Sequence, residues 1–170
     1  AYYFKDDNLY KHGAKILKIE LQEQIMNDGA HFELSPMYHQ IMLFRVLDCI
    51  HLIRLNSWKK DDLLQLLENS ASKMLSWLNE VTFNNGDIPM VNDSSFGIAP
   101  STKKLVSYGK YLGLTVNKVM LSDSGYRMVR KKRYELFMDV ADIVASYQPG
   151  HTHSDTFNFI LYLNNKPFIV

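Results

Sequence analysis

Cysteine is almost missing from this sequence: Cys49 stands alone among 170 residues. A single thiol excludes an intrachain disulfide framework and any cysteine-based zinc cluster, and its place in an apolar run predicts a buried, inert side chain. An excess of one charge is missing too. Nineteen Lys and Arg oppose eighteen Asp and Glu, for a formal net charge of +1, so no global field draws the chain to nucleic acid or to an anionic membrane. The local basic runs, Lys103-Lys104 and Arg130-Lys131-Lys132-Arg133, read as solvated surface, with help in holding an acidic ligand as the alternative. No apolar stretch reaches the ~20 residues that span a bilayer, so membrane insertion is not expected, and the N-terminus lacks a signal-peptide pattern. Both ends read as cut. "AYYFKDDNLY" resembles the middle of a helical element and "KPFIV" stops inside a strand, so the expected partners include other parts of a longer chain.

What is present is a globular balance, 46% hydrophobic and 22% charged, with two different periods. Asp7 or Asn8 can cap a first helix that carries Leu17, Leu21 and Ile25 at four-residue spacing, with Gly29 as a stop. Ser35-Pro36 offers an N-cap and a first-turn proline for a second helix, apolar almost all round except for a stripe of Arg45, Asp48, His51 and Arg54. A third helix is expected from about Lys60 to Val81, with Leu63, Leu67, Met74, Leu78 and Val81 on one face. A short fourth helix follows Ser101 and ends near Gly113. After Gly125 the period becomes two. Tyr126 and Met128 flank Arg127; Tyr134, Leu136, Met138 and Val140 form a second alternating set; Phe157, Phe159, Leu161 and Leu163 form a third, with "NNK" as a hairpin turn before "PFIV". Helices followed by strands mean α+β, in two domains covering residues 1–120 and 121–170. Some fifty residues of strand cannot close a sandwich, so the sheet expects further partners.

Chemistry-bearing residues fall in two stretches. In "PGHTHSD", His151, His153 and Asp155 alternate, so an extended backbone would give them one face. Metal binding, catalysis or substrate binding, and a structural role all remain open for them. A zinc-dependent hydrolase built on the three is one such reading. In "GAHFELSPMYHQIML", Glu33, Tyr38 and His39 gather where a loop enters a helix. Singly, each has a plain alternative: a macrodipole partner, a packed ring, a surface imidazole. The long connection "TFNNGDIPMVNDSSFGIAPS" exceeds a simple turn, and its Asn92 and Asp93 read as structural rather than cleft-lining.

Three segments, "DGAHFELSPMYHQIML", "GDIPMVNDSSFGIAPS" and "DSGYRMVRKKRYELFMDVADIVASYQPGHTHSDTFNFILYLNNKPFIV", together resemble the heparinase II/III-like polysaccharide lyases in content and order. The resemblance implies an α/α toroid of helical hairpins up to residue 120 and an antiparallel β-sandwich from residue 121, each partial here. It implies β-elimination of a uronic-acid glycan, a glycosaminoglycan or alginate, and hence an acidic polysaccharide as partner. It further implies Tyr38 and His151 as catalytic groups, Glu33 and His39 as substrate-binding neighbours, and His153 as a ligand of a structural zinc ion. A polysaccharide-degrading parent would favour a periplasmic or secreted location over a cytoplasmic one. The family's carboxylate-neutralising Asn element is expected ahead of Ala1, and an aspartate zinc ligand just after Val170, so the segment itself is expected to be incomplete for activity. The same architecture in a non-catalytic protein that binds acidic polysaccharide or assembles capsule is the alternative.

Overall fold

The computed structural model describes residues 1–59, 62–142, 150–151, 153–154 and 156–170. Among them, four helices precede four strands: α1 (Asp7–Gln24), α2 (Pro36–Leu55), α3 (Asp62–Val81) and α4 (Thr102–Tyr111), then β1 (Tyr126–Arg130), β2 (Tyr134–Asp139), β3 (Phe159–Leu163) and β4 (Lys166–Ile169). The expected α+β order is what the chain adopts.

The cap of α1 is Asp6, one residue before the expected Asp7, and it accepts from Asn8 N and Leu9 N at 2.9 and 3.0 Å. The helix ends at Gln24, ahead of Gly29. Gly29 sits instead in a tight reversal with φ +97°, where a Cβ would overlap the Lys73 carbonyl of α3. Only glycine permits both that conformation and that approach. Ser35 caps α2 as expected, accepting from Tyr38 N, with Pro36 in the first turn. The Lys60 start expected for α3 lies outside the described residues. Its apolar stripe is buried as expected, Leu67, Met74, Leu78 and Val81 completely so. Each such side chain contributes roughly 1.5–3 kcal/mol on leaving water. The polar stripe of α2 is paired: Arg54 meets Glu68, and Tyr108 bonds both His51 and Asp48.

The strands form one antiparallel meander in the order β1-β2-β3-β4. Asn164 and Asn165 turn β3 into β4 with φ of 50° and 61°, the signature of a two-residue type I′ hairpin. The period of two is right, and on β2 and β3 the alternating apolar sets fall on the less buried face. Glu135, Phe137 and Asp139 of β2 and Ile160 and Tyr162 of β3 point inward, while Leu136, Met138, Phe159 and Leu161 lie on the more open face. Two contacts reward this choice. Phe83 stacks on Tyr162 with centroids 3.9 Å apart, and Tyr126 fits between Phe137 and Trp77. Glu135 tolerates burial because Asn84 N donates to it at 2.9 Å and Arg130 lies 3.5 Å away. Arg130 is therefore not solvated surface. It pairs with Glu80 at 2.9 Å and donates to the Glu80 and Thr82 carbonyls at the end of α3, where a cation complements the helix dipole. Lys103, Lys104, Lys131, Lys132 and Arg133 are exposed, as expected. No described helix is long and apolar enough to cross a membrane.

Candidate functional site

Three connections meet beside the N-terminus of α2. The first, between α1 and α2, folds back on itself: Met26 N bonds Ala30 O, Phe32 N bonds Gln24 O, and Ile25 bridges His31. Asp28 locks it to the linker ahead of β1. Its Oδ2 accepts from Ser122 N, Ser124 N and Ser124 Oγ at 3.1, 3.0 and 2.7 Å, which compensates the buried charge. Ser124 Oγ in turn accepts from Trp77 Nε1 at 3.2 Å. The second connection, residues 82–101, carries Asn92 and Asp93, whose φ values of 49° and 55° are left-handed. Asn92 is buried and donates to Leu34 O and Tyr126 OH, while Tyr126 OH also donates to Leu34 O. The third is the approach to β3, with Gly150, His151, His153 and Ser154 described.

The side chains converge. The Tyr38 and His151 rings lie 4.2 Å apart at 33°. Asp93 bridges both histidines of the third connection, with Oδ2 2.9 Å from His151 Nδ1 and Oδ1 2.6 Å from His153 Nε2. His153 N donates to Asn92 Oδ1 at 3.0 Å. The bonds from His151 and then His153 hold the Asp93 carboxyl below its ordinary value, so it is ionised near neutrality. Glu33 Oε2 stands 3.9 Å from both His151 Nε2 and His31 Nδ1. The assembly thus offers a phenol, two imidazoles and two carboxylates.

Tyr38, His151 and Glu33 are brought together, and His153 joins them through Asp93. His39 does not join. It is fully buried, its Nδ1 accepts from His31 N at 3.1 Å, and its Nε2 donates to Met74 O at 3.0 Å. With Trp77 packed 4.6 Å from its ring, it holds the loop from below and offers nothing to a substrate. Burial pushes its pKa down to about 3. Asn92 plays the structural part expected of it, and Asp93 adds a bridge between His151 and His153 that the sequence reading did not assign. A left-handed Asn-Asp pair in a long loop is the one sequence signal that could have raised Asp93. His31 was also missed: it is 6% exposed, and its Nδ1 has no hydrogen-bond partner. Burial, then the neighbouring His151, lowers its pKa to about 4. Pro149, Thr152 and Asp155 of "PGHTHSD" lie outside the described residues, and with Asp155 so does the expected shared face of the three polar residues.

A zinc ion is not fitted by what is described. No group of three or more His, Cys, Asp or Glu side chains that could hold a metal occurs among the described residues. The site is an open surface constellation. A cavity of about 660 Å³ beside Glu80, Phe83, Asn84 and Arg130 contains none of its members.

Among solved structures, a mutant of heparan sulfate lyase HepC from Pedobacter heparinus matches with a TM-score of 0.70 at 19% identity over 92% of this chain. HepC itself matches at 0.65 and 20% identity, and a structure described as heparinase III at 0.66 and 21%, each again over 92% of this chain. These likenesses establish the fold, and the chain spans only 27–29% of the length of those proteins. A search of curated proteins returns no match. The pattern described as Heparinase II/III N-terminus matches residues 4–113, and that described as Heparinase II/III-like, C-terminal matches residues 115–170. With both patterns matched in sequence order along nearly its whole length, the chain belongs to the heparinase II/III family of polysaccharide lyases.

Proposed function

We propose that the protein carrying this chain cleaves a uronic-acid-containing glycan by β-elimination, with Tyr38 and His151 as its acid–base pair. The observation that carries the reading is the approach of these two rings to 4.2 Å from opposite ends of the chain. Elimination needs three things: a neutralised substrate carboxylate, a base for the proton on the adjacent carbon, and an acid for the departing glycosidic oxygen. At neutral pH an imidazole is the natural proton acceptor and a phenol the natural donor. His151 removes the proton, the freed electron pair becomes the new carbon–carbon double bond, and the glycosidic C–O bond breaks as Tyr38 protonates its oxygen. Glu33, 3.9 Å from His151 Nε2, is placed to accept a hydrogen bond from a sugar hydroxyl. No step runs through a metal.

The test is ultraviolet absorbance of the conjugated alkene, with the full-length protein given heparan sulfate, alginate and related uronate polymers. One polymer should yield the signal, and Tyr38→Phe and His151→Ala should each slow it by about 10²-fold or more. Absorbance from none of the polymers, or undiminished rates in both variants, would overturn the proposal. Glycan retention without cleavage would move the protein to the non-catalytic binding alternative.

A further inference from the structure

We propose that Asp93 is a positioning residue that holds His151 and His153 in opposite tautomers and thereby leaves His151 Nε2 as the free ring nitrogen. An ionised carboxylate only accepts hydrogen bonds. Asp93 touches His151 through Nδ1 at 2.9 Å and His153 through Nε2 at 2.6 Å, so these are the nitrogens that must carry hydrogen. A neutral imidazole has one N–H, and the bond it makes decides which nitrogen is left with a lone pair. For His151 that nitrogen is Nε2, which faces Glu33 Oε2 at 3.9 Å. This distance is too long for a hydrogen bond, so Nε2 remains uncommitted.

The placement of Asp93 is over-determined. Its left-handed backbone and that of Asn92 are uncommon outside glycine, although Asn and Asp tolerate them best. Asn92 anchors the pair by donating to Leu34 O and Tyr126 OH, and its own Oδ1 accepts from His153 N. Two adjacent side chains therefore grip the His151–His153 segment through three bonds. One of them also ties the grip to the residue just ahead of the α2 cap. Among the described residues the other ionisable groups around His151 are Glu33, His31 and Tyr38, and none of them supplies an acceptor to its Nδ1.

The tautomer claim stands on geometry alone; its catalytic consequence rests on the function proposed above. Ring-nitrogen NMR of the ¹⁵N-labelled protein, at a pH where both imidazoles are neutral, should show Nδ1–H for His151 and Nε2–H for His153. Asp93→Ala should return His151 to the Nε2–H form, while His153→Ala should leave it unchanged. A wild-type His151 already in the Nε2–H form, or one indifferent to Asp93→Ala, overturns the inference, and the first of these readings needs no variant to fold. In the alkene assay, Asp93→Ala should lower kcat by about 10²-fold or more with KM within about threefold, and Asp93→Glu should recover part of the loss. An active wild type with undiminished kcat in Asp93→Ala refutes the positioning role and leaves the lyase reading intact. Correct tautomers in a protein that cleaves no uronate polymer refute the lyase reading and leave the positioning intact.

Discussion

Acid should unfold this protein through two buried imidazoles. His39 and His31 are buried, and burial lowers their pKa from 6.5 to about 3 and about 4. Because the folded values are depressed, the unfolded chain binds more protons below pH 6.5. Stability is then complete above that value and falls as pH drops toward the folded pKa values. At pH 5 each imidazole withdraws roughly 2 kcal/mol, and the two together roughly 4 kcal/mol, out of a typical total of about 5–15 kcal/mol. Asp7, Asp62, Asp93 and Asp123, all shifted below 3.8, act only in stronger acid, so the window from pH 5 to 7 isolates the histidines. Urea titrations at several pH values, followed by tryptophan fluorescence (Trp77 packs on His39), should show the midpoint falling steeply below pH 6.5. His39→Leu should be less stable at pH 7, because His31 N and Met74 O lose their partner at about 1–3 kcal/mol each. It should nonetheless show a shallower pH dependence. Equal slopes in wild type and variant, or a wild type as stable at pH 5 as at pH 7, would refute the reasoning.

Two substitutions test the scaffold. Gly29→Ala forces a Cβ onto the Lys73 carbonyl at φ +97° and should cost about 1–3 kcal/mol or more in thermal denaturation, with an unchanged Tm as the contrary result. Arg130→Ala strips the partner from buried Glu135 and the cap from α3. A loss of about 2–3 kcal/mol is expected by urea titration, and adding Glu135→Gln should return part of it; a neutral Arg130→Ala would show that the network contributes nothing.

How much of this was legible depended on whether a local signal existed. Ser35-Pro36, the stripe of α3 and the Asn164-Asn165 turn are set by adjacent residues, and each lies within a residue or two of its expected place. The inward face of β2 had no local signal, since its more apolar residues, Leu136 and Met138, lie on the other face. Glu135 and Asp139 face inward because of their partners, and for Glu135 these are Arg130 and Asn84, the latter fifty-one residues away in sequence. His39 reads as a surface or substrate-facing imidazole from its place at the start of a helix, yet its environment is Met74 and Trp77 of another helix. Tyr38 and His151 were paired through the family resemblance, and no spacing rule within the chain would have joined them. Asp93 escaped for the same reason, since its meaning lies in residues fifty-eight and sixty positions onward.

The connection at residues 82–101 bears on how relatives could be recombined. Its Asn92 and Asp93 precede all four described strands, yet their side chains grip the segment that leads into β3. A chimera cut between the last helix and the first strand would graft one protein's histidines onto another's clasp. Exchanges that respect the chemistry must carry the 91–94 turn along with the strands, even though the chain visits it thirty-odd residues earlier.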